Sequence, residues 1–249
     1  MLAHHCRRPI RTAEQAASFL HSLIRPDFRP YAQRAPYALE SVARLLERAG
    51  HPHRGLPVIH IAGSKGKGST ALAAEAVLEA TGHSTGTFTS PHLQRWTERF
   101  RVGGREITGA HLAETLEALR PHVEVLCAEH PENPPSFFDV LTAAALLLFR
   151  ASRVDCAIME VGIGGRYDAT NIVEPAVTCV TGIELEHVDK LGNDLASIAR
   201  HKGGIIKPAV PVIAAPLPSP AAEQISACAA AQRAPLLRLG REIGFEMLA

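Results

Sequence analysis

The stretch of this sequence that points most directly to chemistry is Gly63-Ser64-Lys65-Gly66-Lys67-Gly68-Ser69-Thr70. Glycines there let successive backbone N–H groups converge on phosphate oxygens, and a helix starting behind the loop adds the positive end of its dipole. In such a cradle Lys67 contacts the β- and γ-phosphates, while the hydroxyl of Ser69 or Thr70 faces a metal ion. The spacing departs from the common phosphate-loop pattern, because Gly68 separates Lys67 from Ser69. A flexible glycine turn is the plain alternative. Its flanks, a short β-rich run at 57–62 and an alanine-rich helical run at 69–80, argue for the cradle.

A second cluster begins at Glu160, which closes the apolar run Cys156-Ala157-Ile158-Met159-Glu160. An acid at the carboxyl end of a parallel strand beside a phosphate loop is placed to hold Mg²⁺. Taken alone, a surface or helix-capping acid would read the same way. The residues that follow, Gly162-Ile163-Gly164-Gly165-Arg166-Tyr167-Asp168-Ala169-Thr170-Asn171, put three glycines in four positions. That lets the backbone approach a ligand, to which Arg166, Asp168 and Asn171 bring polar ends; a tight surface loop is the alternative. His187 lies just past a later strand, and a lone histidine is more often structural than a ligand. Ser90, in Thr89-Ser90-Pro91-His92, reads as a turn serine, and Lys202 and Lys207 as solvated lysines at a helix end. Only five of the 26 basic side chains are lysine, at 65, 67, 190, 202 and 207. Lysine survives where a compact or modifiable amine is needed; a bias towards arginine explains the ratio by itself, so the clustering is a pointer and no more.

The elements that must position these groups follow from periodicity. Helices fit 12–24 and 37–49, separated by Pro26, Pro30 and Pro36, and form a helical N-terminal segment over 1–56. Over 57–249 strands fit 57–62, 84–88, 154–161, 176–183, 210–215 and 236–239, with a Gly103-Gly104 hairpin at 99–108. Helices fit 69–80, 109–129, 137–152, 194–201 and 221–231, and the proline-rich 216–220 reads as a loop. Strands alternating with helices predict an α/β fold, a mainly parallel sheet with helices on both faces.

Composition excludes several classes. The 249 residues fit one large α/β domain, or one domain plus a helical extension. With 26 basic and 25 acidic side chains the net charge is +1, which removes the electrostatic case for a nucleic-acid partner. The longest largely apolar run, 141–149, is about half the ~20 residues of a membrane span. No apolar core follows the charged first eleven residues, so no secretory signal is expected and the protein is expected in the cytoplasm. Cys6, Cys127, Cys156, Cys179 and Cys228 contain no Cys-x-x-Cys pair and are expected as reduced thiols.

In order, these segments resemble the folylpolyglutamate synthase / dihydrofolate synthase family, a branch of the Mur ligases. The resemblance rests on 63–70, on Thr89-Ser90-Pro91-His92-Leu93 with Glu98-Arg99, on 160–171, on Glu186-His187 with Leu191-Gly192, and on Lys202-Gly203-Gly204-Ile205-Ile206-Lys207-Pro208. It implies a P-loop-type Mur ligase central domain and an ATP-dependent amide ligase. In that chemistry ATP phosphorylates a carboxylate of a pterin or folate substrate, and the amino group of L-glutamate attacks the acyl phosphate. The resemblance gives Lys67 the phosphates and Ser90 and Glu160 the Mg²⁺ on them. It gives His187, with Glu160, a second Mg²⁺ and makes Lys202 the match for the lysine the family carries as a carbamate. Arg166 and Asp168 would line the loop near the reacting groups.

Four positions depart from the family pattern: Lys65 for asparagine, Tyr167 for leucine, Glu186 for aspartate and Gly203 for alanine. Family enzymes carry a further domain of roughly 100 to 200 residues, which is expected to be absent from these 249. That keeps open a non-catalytic Mg-ATP-binding module and another Mur-type amide ligase. A P-loop kinase or GTPase does not account for the block at 160–171.

Overall fold

The computed structural model describes residues 9–24 and 39–244. Cys6, the prolines at 26, 30 and 36, and the first residues of the helix expected at 37–49 lie outside them. The helical N-terminal segment supplies α1 (Ala13–Ser22) and α2 (Glu40–Arg48). Thr12 starts α1 by accepting from the Gln15 N–H, while the Gln15 side chain returns to the Thr12 backbone, which satisfies two otherwise orphaned donors.

The α/β part runs β1 (Val58–Ala62), α3 (Lys67–Ala80), β2 (Thr85–Phe88), β3 (Phe100–Val102), β4 (Arg105–Glu106), α4 (Gly109–Glu129) and α5 (Phe137–Ala151). It continues through β5 (Cys156–Glu160), β6 (Val177–Val180), α6 (Val188–Leu191), α7 (Leu195–Lys202), β7 (Val212–Ala214), α8 (Ser219–Ala231) and β8 (Leu236–Arg238). Eight strands form one sheet in the order β4-β3-β2-β5-β1-β6-β7-β8. The five pairs from β2 across to β8 are parallel, and the two at the other edge, β2–β3 and β3–β4, are antiparallel.

Two helix starts differ from the sequence reading for a local reason, and two short elements are additional to it. Helix α3 begins at Lys67 rather than 69, because Gly66 adopts φ +84 and turns the chain directly into the helix. Helix α8 takes in Ser219 and Pro220, since a proline in the first turn gives up an N–H that has no intrahelical partner. The short helix α6 after His187 and a 3₁₀ turn at Trp96–Arg99 were not legible as elements.

The two faces of the sheet are covered unequally. Val58, Ala157, Met159, Phe88 and Phe100 face a core built with α1, α2, α4 and α5. Val180 and Val212, on the same side by strand register, pack under α7 and α8. On the opposite face α3 alone covers Ile61 and Ile158. Beyond its reach Ile213 and Leu237 are left exposed.

Gly86 in β2 faces α5, where a Cβ would lie 2.4 Å from the Phe149 ring. Phe149 is fully buried, so that ring has little room to retreat. Gly86→Ala should therefore lower the unfolding free energy by about 1–3 kcal/mol in urea titrations; an unchanged midpoint would show that the α5–sheet contact is loosely packed.

Candidate active site

Strand order puts the carboxyl ends of β5, β1 and β6 side by side, and three loops leave from them. The loop after β1 is pinned to the end of β6. A Cβ on Gly63 would fall 1.7 Å from Thr181 Oγ1, so only glycine allows this approach. The Thr181 N–H donates to Ala62 O (2.8 Å), its hydroxyl donates to Lys65 O (2.7 Å), and the Ser64 N–H donates to Gly182 O (2.7 Å). Ser64 Oγ also accepts from the Glu184 N–H (3.0 Å). Lys65 points outward to an exposed pair with Glu184, 2.6 Å away. Lys67, in the first turn of α3, folds its ammonium back over the loop onto Gly63 O (3.0 Å) and Ser64 O (3.4 Å). Gly68 lies one position on, where a Cβ would stand 3.5 Å from Glu160 Oε2, so the carboxylate lies over the start of the helix. Ser69 and Thr70 follow on the same turn, Ser69 exposed and Thr70 half-buried.

Glu160 is buried at the end of β5 and accepts from the Ser90 N–H at 3.0 Å. Burial raises its pKa, opposed by that N–H and by the charges of Lys67 and Arg99. A buried carboxylate beside a phosphate loop fits a Mg²⁺ ion, which takes one or two protein oxygens and completes its shell with phosphates and water. Ser90 reaches Glu160 through its backbone, leaving its hydroxyl outside that contact. Among the described residues no three His, Cys, Asp or Glu side chains form a metal-binding group.

The loop after β5 is organised by Asp168. Its Oδ2 accepts from the N–H groups of Gly162 and Ile163, both at 3.0 Å, and its Oδ1 accepts from the N–H of Thr170 (3.0 Å) and from the Thr170 hydroxyl. The Thr170 hydroxyl is also 2.9 Å from Nε2 of His60, whose pKa burial pushes down to about 3 and which is therefore neutral. Asn171 spans to Arg166 O (3.0 Å) and Gly204 O (3.1 Å), joining this loop to the segment after α7. Arg166 is exposed and lies over the Tyr167 ring, 5.5 Å from its centroid. The structure brings Asp168 to the cavity described below but does not bring Arg166 there.

The loop after β6 carries Glu186 and His187. His187 is exposed with φ +46, immediately before α6. Lys202, at the end of α7, is 1% exposed, and its ammonium lies 2.6 Å from Glu186 Oε1. Burial lowers the Lys202 pKa, with Glu186 opposing. Burial pushes Glu186 up, but its hydrogen bond and charge contact with Lys202 outweigh this, and its pKa ends below the usual value. The lysine is therefore not a solvated helix-end side chain. It sits behind Glu186, which lines the cavity.

These loops open on one cavity of about 690 Å³. Ser64 and Lys67 line it from the β1 loop, Ser90 from the β2 loop, Asp168 from the β5 loop, and Glu186 and His187 from the β6 loop. Its far wall was missed from sequence: Phe137 and Phe138 at the start of α5, with Ser136 and Asp139. Those residues read as the first turn of a core helix, and the available signal was the Ser136–Asp139 cap in front of two adjacent aromatics. Arg99 also lines the cavity.

A sheet with its glycine loop, acid and ligand cavity at the carboxyl ends of its central strands defines a P-loop α/β protein of the Mur ligase type. No family model matches the chain. It is 36% identical over 203 residues to dihydrofolate synthase/folylpolyglutamate synthase of Bacillus subtilis, covering 81% of this chain and 45% of that protein. It is 42% identical over 193 residues to a probable bifunctional folylpolyglutamate synthase/dihydropteroate synthase of Halobacterium salinarum, covering 77% and 23%. The structure of Mycobacterium tuberculosis folylpolyglutamate synthase complexed with ADP superposes with TM-score 0.84 at 34% identity, over 92% of this chain and 50% of that one. E. coli FolC in complex with DHPP and ADP gives 0.79 at 33% identity, over 95% and 53%. The chain belongs to the folylpolyglutamate synthase/dihydrofolate synthase family, matching its N-terminal part. It spans about half the length, or less, of these relatives.

Asp139 is buried, and its Oδ2 accepts from Ser136 N–H (2.8 Å) and from Ser41 Oγ (3.1 Å) in α2. Burial raises its pKa above the ordinary 3.8. Below about pH 3.8 the carboxyl is protonated folded and unfolded, with no penalty. As pH rises towards the raised folded value, ionisation of the unfolded chain costs folding stability. Asp139→Asn does not titrate, so its stability relative to the parent should improve from pH 4 to pH 7 in urea unfolding. A pH-independent difference would contradict the shift.

Proposed function

We propose that this chain is the nucleotide- and acid-substrate-binding part of an ATP-dependent ligase. The reaction adds L-glutamate to a dihydropteroate or reduced folate carboxylate through an acyl phosphate. The observation that carries the reading is that Lys67 of the glycine loop and the Phe137–Phe138 wall share one cavity. A planar pterin ring fits against aromatic faces, whose edge and face contacts favour stacking, with Asp168 at the same wall. The family relatives and the E. coli structure holding ADP and DHPP support it.

In this reading the backbone of Gly63, Ser64, Lys65, Gly66, Lys67, Gly68, Ser69 and Thr70 holds the ATP phosphates, and the Lys67 ammonium leaves its carbonyl partners for them. Glu160 and the Ser90 hydroxyl would hold Mg²⁺, which supplies charge neutralisation between a carboxylate and the γ-phosphate. His187, with Glu160, would hold a second Mg²⁺, and Lys202, which as an ammonium is paired with Glu186, would help fix that ion once carbamylated. Asp168 shapes the glycine loop after β5. Arg166 stands at the rim of that loop, 5.5 Å from the Tyr167 ring and away from the cavity lining. The division into a 1–56 segment and a 57–249 core is kept, with α1 and α2 as the helical buttress among the described residues. By the resemblance to the family, the glutamate site would lie in the part of the relatives that this chain does not span.

No helix among the described residues is long and apolar enough to cross a membrane. The thiols of Cys156, Cys179 and Cys228, in no disulfide among the described residues, support a cytoplasmic location.

ADP release by the 249-residue protein with Mg-ATP, L-glutamate, and dihydropteroate or tetrahydrofolate tests the reading. ADP release that requires the pterin, with or without glutamate, is the expected result for a part that forms the acyl phosphate, and release indifferent to the pterin would overturn it. Lys67→Ala should weaken Mg-ATP binding about ten- to hundredfold by calorimetry while the fold is kept, the loss of a charged hydrogen bond. The second reading is a nucleotide-binding module, which the glycine loop with Lys67 and the adjacent Glu160 would serve by themselves. Mg-ATP binding with no substrate-dependent ADP would select it.

A further inference from the structure

Arg99 is the only arginine buried among the described residues, at 7% exposure. The other arginines that lose much of their solvent have carboxylates: Arg101 has Glu75 at 2.9 Å, and Arg120 has Glu117 at 2.8 Å and Glu124 at 2.6 Å. Arg99 has no carboxylate within ion-pair distance among the described residues. Its single hydrogen bond runs from Nε to Nδ1 of His92, at 2.9 Å. That bond makes His92 the acceptor and places any proton of the neutral ring on its Nε2. Beneath the guanidinium lies the Trp96 ring, 5.1 Å from Cζ, and Trp96 is itself held by His92 (4.5 Å between centroids) and Phe137 (6.2 Å). The guanidinium is thus fixed on one edge and one face. Its two Nη groups have no partner among the described residues and are not sealed from solvent, and the residue lines the cavity.

A desolvated cation without a counter-ion is costly unless a ligand supplies one. The two groups that hold the guanidinium, His92 and Trp96, carry no negative charge, and Glu160 acts on it without reaching ion-pair distance. The open edge is the forked donor pair that matches a carboxylate in two parallel hydrogen bonds. Glu160 is near enough to act on the Arg99 charge, so this edge belongs to the phosphate end of the cavity. Phe138 and Asp139 mark the other end.

We propose that the Arg99 fork, oriented by His92 and Trp96, binds the carboxylate of the aromatic acid substrate and turns it towards the phosphate loop. The inference rests on the proposed function and adds the substrate's direction: carboxylate at Arg99, ring at Phe138. Arg99 is then a substrate-binding residue, and His92 and Trp96 are positioning residues. Bidentate geometry sets the group apart from Lys67, a point charge suited to phosphate.

The test compares binding of dihydropteroate and its carboxamide, in which the acid alone is neutralised, by equilibrium fluorescence titration. The parent chain should prefer the acid by tenfold or more. Arg99→Gln should bind both ligands alike, at the parent's affinity for the carboxamide, with Mg-ATP affinity unchanged. Arg99→Lys should retain part of the preference, because charge remains and the fork is lost. An acid preference that survives in Arg99→Gln overturns the proposal. So does equal weakening of both ligands, which marks a structural role, or a loss confined to Mg-ATP, which marks a phosphate contact. If the parent binds neither pterin, the pterin reading of the cavity falls and the proposal with it. That result is distinct from one in which the carboxamide still binds and only the preference is missing.

Discussion

The site depends on how closely the β1–α3 loop approaches the end of β6. Gly63 has no space for a Cβ against Thr181, and the Thr181 N–H and hydroxyl hold Ala62 and Lys65 from the other side. That contact fixes where α3 starts, and so where Lys67 and the helix N-terminus point. It also fixes the loop after β6, because Ser64 accepts from the Glu184 N–H. Glu186, His187 and the buried Lys202 behind them take their positions from the same junction. A sheet order with β1 between β5 and β6 makes this possible, since it sets the Glu160 carboxylate over the first turn of α3 from the opposite side.

Charge is distributed unevenly around the cavity. Lys67 and Arg99 stand with Glu160 at one end, and the neutral Phe137–Phe138 wall with the buried Asp139 at the other. Among the described residues neither cation has a carboxylate ion-pair partner: Lys67 rests on backbone carbonyls, and Arg99 on an imidazole and an indole. Cations held this way are available to anionic ligands, whereas Lys202, the most buried of the three, is already engaged by Glu186. The difference separates groups poised to bind from a group that orients another.

Much of this was legible from residue type and order. The parallel sheet followed from alternating apolar runs, and the glycine loop from its strand-before, helix-after context. Glu160 followed from its place at a strand end. What was not legible depends on contacts between segments far apart in sequence. Phe137 and Phe138 look like any core-helix aromatics until α5 is placed beside β2. Arg99 looks like a surface arginine after an acid until His92 and Trp96 close around it. Lys202 reads as a solvated helix-end residue because nothing local announces Glu186, sixteen positions earlier. The bare Ile213–Leu237 face follows from α3 being a single helix over the centre of the sheet, a matter of coverage that strand patterns do not encode.

The central claim is that nucleotide and aromatic acid meet in one cavity, the acid's carboxylate directed at the phosphate loop. Paramagnetic relaxation tests it most directly. With Mn²⁺-ATP bound to the chain in place of the Mg²⁺ complex, the proton relaxation of bound dihydropteroate reports distance from the metal. The arrangement predicts that the aminobenzoate ring protons relax faster than those of the pterin ring. Equal relaxation, a reversed order, or no effect of the metal on either ring would contradict it.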